Sequence, residues 1–370
     1  METSAVAEVE VFAARVAAEA AVAAPATPWL RLDALQPFQR IALRSTFTYL
    51  TGKTPEAAGV TPAAETAYLA ASAVLRAALP ARARSIWVLA PDWLYGAATR
   101  LGRSEVRARR KAHALAQLAM AAAAPGSPLD GIIARGRASH TDDLHAAATL
   151  LFAGHDTQGA TLAWCALRLG HDTKWQSRIR SALATKQRSC SSGENAPAAG
   201  MSSDASEWSA DAMLDATIKE TLRLHPPAPL VVRALHGGYV PPHSMGDVIR
   251  DGRFHVPPGS GIAVWLHSVH RDAACWGPQA DAFLPTRWLA GPGSPGEAYM
   301  PFAVGARTCP GAALATASLR AALAALVARL EWTLDGDGGD EQQMQRVLHP
   351  SVGFTVTPAH GVRLRMRPAA

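Results

Sequence analysis

The stretch that most limits how this chain can fold is ASHTDDLHAAATLLFAGHDTQGATLAWCALRLG, residues 138–170. Ser139 and Thr141 offer N-caps, and Asp142 and Asp143 complement the positive end of a helix dipole. Helical periodicity continues to Leu169, where Gly170 can end it. A helix of about 28 residues spans roughly 42 Å, so the rest of the fold must be built around it. Its middle breaks the apolar pattern: Gly154 is followed by His155, Asp156, Thr157 and Gln158. Such a break suits either a polar patch on a surface helix or a place where chemistry needs polar groups.

Hydrophobic residues make up 49% of the 370, enough for one large domain or two ordinary ones. Alanine is abundant and aromatics are only 6%, which favours helix over sheet. The formal net charge of +6 comes with scattered arginines, which argues against a nucleic-acid partner. The four cysteines, Cys165, Cys190, Cys275 and Cys309, show neither CxxC spacing nor disulfide-framework density. Reduced thiols and an intracellular compartment are expected. No apolar run of about 18 residues stands out, so no membrane-spanning helix is expected. The opening METSAVAEVEVFAARVAAEA carries four glutamates in an amphipathic helical pattern, unlike a signal or transit peptide.

The first half reads as helices between Pro/Gly breaks, at residues 5–24, 37–50 and 106–124. The basic run from Arg100 to Lys111 is read as a solvated helix face. Residues 187–208, poor in hydrophobics and rich in Ser, Gly and Ala, read as a flexible insertion. A helix capped by Ser209 stops at Pro226 and Pro227. Residues 228–290 alternate Val-rich pieces with turns, as short strands and an irregular meander. A last helix runs from Gly311 to about Trp332, with Leu319, Leu323, Leu326 and Leu330 on one face. LDGDGGDEQQ has the look of a calcium loop, but Arg346 stands where a bidentate Glu is needed, so it is read as a loop.

Just before that last helix lies PFAVGARTCPG. The positive end of a helix stabilises thiolate at Cys309. Gly305 permits a tight bend, Gly311 lets the helix start lie against something planar, and Pro310 suits a first-turn position. Arg307 suits a carboxylate. A lone thiolate without further ligands argues against zinc. It fits an axial ligand to haem iron, with propionates seeking the arginine. From the cysteine and glycines alone, a small buried hydrophobe is the preferred reading.

This stretch resembles the haem-binding signature of the cytochromes P-450, Phe-x-x-Gly-x-Arg-x-Cys-x-Gly, through Phe302, Gly305, Arg307, Cys309 and Gly311. AGHDTQ is similar to that family's oxygen-activating segment, with Gln158 in place of its second Thr. KETLRLHPP resembles its Glu-x-x-Arg through Glu220 and Arg223, and FLPTRWL its Phe-x-Pro-x-Arg-Trp, which contains Arg287.

The resemblance implies a mainly α, cytochrome P-450-like fold with a minor β-sheet region and a meander before the haem loop. It would be one incomplete domain: middle helices in 1–138, the oxygen-activating helix at 139–170, the insertion at 187–208 and a haem-binding half at 209–370. The implied cofactor is haem b, with Cys309 on the iron and Arg233 on a propionate. Phe302, Gly305, Arg307 and Gly311 would shape the cofactor loop, and Gly154 would clear space for the macrocycle. Asp156 and Thr157 would manage protons, and Ala228 to Val232 would line the substrate cavity. Glu220, Arg223 and Arg287 would form a buried structural network, while His267, His270 and Arg271 are read as ordinary loop residues.

The implied activity is insertion of one atom of O₂ into a small hydrophobic substrate. Electrons would come from a separate reductase or ferredoxin, since no flavin or nicotinamide fingerprint is seen. Membrane association is not encoded in this chain. Neither a Trp-x-x-x-Arg helix nor N-terminal strands are found, so a fragment or a shortened form is expected. A peroxygenase or isomerase, and a haem-free remnant of the fold, remain alternatives.

Overall fold

The computed structural model describes residues 2–23, 29–134, 140–192, 208–234, 248–249, 254–255, 260–289, 296–336 and 346–369. The chain begins with α1 (Glu2–Ala23), β1 (Leu30–Asp33), α2 (Leu35–Thr51) and α3 (Pro62–Ala83). It continues through α4 (Asp92–Ala98), α5 (Arg100–Ala122), α6 (Pro128–Ala134), α7 (His140–His171), α8 (Thr173–Ser192) and α9 (Ala210–Leu224). Then come β2 (Leu230–Ala234), β3 (Val248–Ile249), β4 (Phe254–His255), β5 (Gly261–Trp265), α10 (Leu266–Val269) and α11 (Ala273–Trp276). The chain ends with α12 (Ala312–Arg329) and strands β6 (Leu330–Leu334), β7 (Pro350–Val352), β8 (Val356–Pro358) and β9 (Arg363–Pro368). Helix predominates, as composition and resemblance implied.

Local chemistry sets several boundaries. Thr61 accepts from the Ala64 N–H (3.2 Å), with Pro62 in the first turn of α3. Ser209 caps α9 as expected, accepting from Ala212 N–H (3.2 Å). Gly52, at φ 72°, ends α2 in the left-handed conformation.

The strands are few and antiparallel. β9 lies between β1 and β6, pairing Leu30 and Trp332 across Met366. β2 pairs with β5, and β7 with β8.

α7 is the shared beam of two apolar clusters. Leu162 to Leu167 and Leu169 join Phe38, Leu323, Leu326, Trp332 and Met366 in one. Ala147 and Leu151 join Phe47, Tyr68, Leu115 and Leu129 in the other.

Four expectations need correction. α7 runs 32 residues and passes through Gly170; a Cβ there would lie 3.1 Å from Trp332 Cδ1, so this glycine serves packing and does not stop the helix. α12 ends at Arg329, and Leu330 and Trp332 belong to β6, where strand pairing with β9 overrides the helical spacing. α8 extends to Ser192 and takes in the start of the expected insertion; 193–207 lie outside the described residues, as do 337–345 of the calcium-like loop. Finally, α12 is long and apolar enough to cross a membrane by length and composition, although Leu319, Leu323, Leu326 and Val327 are buried in the core.

Candidate functional site

The loop before α12 folds back on itself. The Cys309 N–H donates to Phe302 O (2.9 Å), and Thr308 Oγ1 donates to Ala303 O (3.2 Å). The bend uses left-handed backbone at Gly305 (φ 77°) and at Ala303 (φ 59°). Glycine adopts it without steric penalty, whereas a Cβ makes it strained, so the surrounding hydrogen bonds hold Ala303 there. Gly311 is the N-cap of α12, which places Pro310 ahead of the cap and not in the first turn. The Cys309 thiol is free and exposed.

Beside this loop lies a cavity of about 700 Å³, within the range of roughly 300–1,000 Å³ that encloses organic ligands. The loop contributes Phe302, Arg307, Cys309 and Gly311; α7 contributes Gly154, Thr157, Gln158 and Thr161; and β2 contributes Val231, Val232 and Arg233. Ala228 and Leu230 also line it, and Gly305 does not. Most of the remaining wall is apolar, and among the described residues no carboxylate faces in.

Two guanidiniums therefore stand in a mostly apolar cavity with no acid among its described lining residues. Arg233 donates to Val232 O (3.0 Å), and neither it nor Arg307 has a carboxylate partner among the described residues. An apolar body with acidic edges and a metal that takes one thiolate would satisfy all three groups. Haem b has that form, and the residues present fit it.

The polar break in α7 resolves into separate tasks. Gly154 lines the cavity, and its missing side chain leaves room for Thr46 of α2, which lines the same cavity. A Cβ there would sit 2.5 Å from Thr46 Cγ2 and 2.9 Å from Thr46 Oγ1 on α2. The glycine thus allows close packing of α2 on α7 at the cavity wall. Thr157 faces the cavity, and its hydroxyl donates to Ala153 O (2.8 Å). Such back-bonding disposes of the hydroxyl hydrogen without breaking the helix.

Asp156 is 1% exposed and does not line the cavity. Its carboxylate accepts from Arg76 Nη1 of α3 and from Thr355 Oγ1, which lies just before β8. The expected acid–hydroxyl pair is therefore split, with the alcohol at the cavity wall and the acid bolted to α3 and the β7–β8 turn. His155 is buried, with Nδ1 against Leu151 O (2.8 Å), and burial lowers its pKa.

Behind the loop, Glu220, Arg223 and Arg287 form a connected buried network. Arg223 Nε and Nη2 donate to Glu220 Oε2 (2.9 Å) and Oε1 (2.8 Å). Arg287 Nε (3.0 Å) and the Leu284 N–H (2.9 Å) add to Oε1, and Trp288 Nε1 (3.0 Å) adds to Oε2. The rest of the Arg223 fork reaches the carbonyls of His270, Ala280 and Ala282.

His270 is more than the ordinary loop residue expected from sequence. It is fully buried, with Nδ1 against Arg223 O (3.2 Å) and Nε2 accepting the Met300 N–H (3.1 Å). That arrangement is satisfied by the neutral ring alone, and burial pushes its pKa down to about 4. His270 thereby ties the network to the start of the cysteine loop. Its only sequence signal was proximity to Arg271 in HSVHRD; Arg76, Thr355 and Thr46 gave none.

A family model described as Cytochrome P450 matches residues 134–358. Over 222 residues the chain is 34% identical to Cytochrome P450 714C2 of Oryza sativa subsp. japonica, covering 59% of this chain and 37% of that protein. It is 32% identical over 227 residues to Cytochrome P450 714D1 of the same plant, covering 60% and 35%. It is 31% identical over 192 residues to Cytochrome P450 71A22 of Arabidopsis thaliana, covering 51% and 35%. The matched part thus spans little more than a third of each relative. Proteins of this family bind haem b, the group that the thiol, the two arginines without a carboxylate partner among the described residues and the apolar walls suit. On a match that takes in more than half of its residues, the chain belongs to the cytochrome P450 family.

Proposed function

We propose that this chain forms the haem-holding part of a haem-thiolate monooxygenase, which inserts one atom of O₂ into an organic substrate and releases the other as water. The observation that carries this reading is one cavity lined by Cys309 and by Gly154 and Thr157 of α7. When bound, haem supplies the redox chemistry at iron, with thiolate electron density favouring O–O cleavage. Cys309 would hold the iron, and Arg233 and Arg307 would take the two propionates. Two electrons and two protons per turnover come from outside the cavity, the electrons from a separate protein donor. The Thr157 hydroxyl, its hydrogen committed to Ala153 O, offers oxygen lone pairs that fix a water on the α7 wall. Asp156 would pass protons to that water once Arg76 releases it.

The burial of Asp156 away from the cavity favours one second reading, a peroxygenase that needs no proton delivery from outside. The test is spectroscopic first. Chain loaded with haem, reduced and exposed to carbon monoxide should give the red-shifted Soret band of thiolate ligation. Cys309→His should move the band to the imidazole position. Failure to take up haem would overturn the proposal. Turnover with peroxide but none with O₂ and an electron donor would transfer it to the peroxygenase.

A further inference from the structure

The α7 wall of the cavity has an unusual hydrogen-bond balance. Thr157, Gln158 and Thr161 all line the cavity, and each directs a donor back to a carbonyl four residues earlier. Thr157 Oγ1 donates to Ala153 O (2.8 Å), Gln158 Nε2 to Gly154 O (2.9 Å) and Thr161 Oγ1 to Thr157 O (2.9 Å). A carbonyl can only accept, so both hydroxyl hydrogens and one amide hydrogen are spent. What remains is three oxygens against a single amide hydrogen.

Gln158 is the critical member of the row. It is 4% exposed, and turning its NH₂ to Gly154 O fixes the direction of the carboxamide. Its Oε1 has no hydrogen-bond partner among the described residues, yet it is not among the atoms closed off from open space. The open space that Gln158 borders is the cavity. A nearly buried acceptor without a donor costs free energy that a bound donor recovers.

We infer that the α7 wall selects substrates carrying an O–H or N–H on an apolar body, with Gln158 Oε1 as the specificity-determining acceptor. The inference rests on the cavity being the substrate and haem pocket of the proposed monooxygenase. It adds a chemical class: a donor-bearing molecule binds better than the same skeleton with its donor removed. Thr46 and Tyr49 of α2 also line the cavity, and each contributes a hydroxyl that can donate or accept and so selects for neither class of ligand.

A matched pair of probes tests this. 1-Octanol and its isomer heptyl methyl ether have the same atoms and similar shape, and only the alcohol donates. Binding of each to haem-loaded protein is followed by calorimetry and by the Soret shift. The expected result is an alcohol preference of about three- to tenfold, the worth of one neutral hydrogen bond. Gln158→Met, similar in volume but without the acceptor, should weaken octanol binding by that factor and leave the ether unchanged. Gln158→Glu, which keeps an oxygen, should retain the preference, and the carbon monoxide band and thermal transition verify that each variant is folded. Equal binding of the two probes to wild type, or an unchanged ratio in Gln158→Met, overturns the inference while leaving the haem reading intact. A chain that takes up no haem overturns both.

Discussion

Replacing Glu220 by Gln tests whether the buried network is as tightly satisfied as its geometry shows. The carboxylate accepts five donors: three on Oε1, from Arg223, Arg287 and Leu284, and two on Oε2, from Arg223 and Trp288. The isosteric amide keeps one acceptor oxygen and turns an NH₂ towards the other set. In the better orientation, oxygen serves the three donors, and Arg223 Nε and Trp288 Nε1 are left facing an amide that also donates. One orphaned donor belongs to a cation that is 0% exposed, and the charge that compensated it has gone. Breaking a buried pair in this way costs about 3–5 kcal/mol. With an unfolding entropy of about 2.1 cal/mol/K per residue over 370 residues, each kcal/mol shifts Tm by about 1.3 °C, so a fall of roughly 4–6 °C is expected. Differential scanning calorimetry measures it, with Glu331→Gln as a control that breaks the partly exposed pair with Arg367, worth under about 1 kcal/mol. Equal shifts for the two variants would refute the argument that burial makes this network costly to break.

Two further outcomes follow from the geometry. Gly154→Ala should destabilise by about 1–3 kcal/mol through overpacking, less about 1 kcal/mol of helix propensity gained. Rotating Thr46 does not relieve it, because Thr46 Cβ itself lies 3.3 Å from the new methyl group; Thr46→Gly should therefore cancel the clash, and a double-mutant cycle without coupling contradicts it. His270 has its folded pKa lowered from 6.5 to about 4, so between those values the unfolded chain binds more protons. Stability present above pH 6.5 is thus lost as pH falls through that window, by up to about 3 kcal/mol at 1.36 kcal/mol per unit. His270→Gln should flatten this part of the curve relative to wild type in urea titrations at pH 4 to 7, and identical slopes would remove His270 as its source.

The parts of the site that were readable in the sequence are those carried by short spacings. Glu220 and Arg223 stand three apart on one helix, so their pairing follows from helix geometry once α9 is recognised. The bend at Gly305 and the cysteine ahead of α12 are likewise local. Ser209 was found as a cap because its partner lies three residues away. Where local preference and tertiary contact disagreed, tertiary contact won. Gly170 stays helical because Trp332 lies against it, and Leu330 and Trp332 leave the helical pattern to pair with β9.

Spacing along the chain decided that there would be a long central helix, a cysteine at the foot of another, and an acid–arginine pair one turn apart. Packing decided what each side chain faces. Asp156 meets Arg76 and Thr355, 80 and 199 residues distant, and Gly154 meets Thr46 on α2, a contact that no spacing in the sequence announces. Helix geometry sets only the angle between successive side chains, about 100° at 3.6 residues per turn. Which of those directions opens on a cavity, and which is closed by another helix, depends on contacts between distant segments.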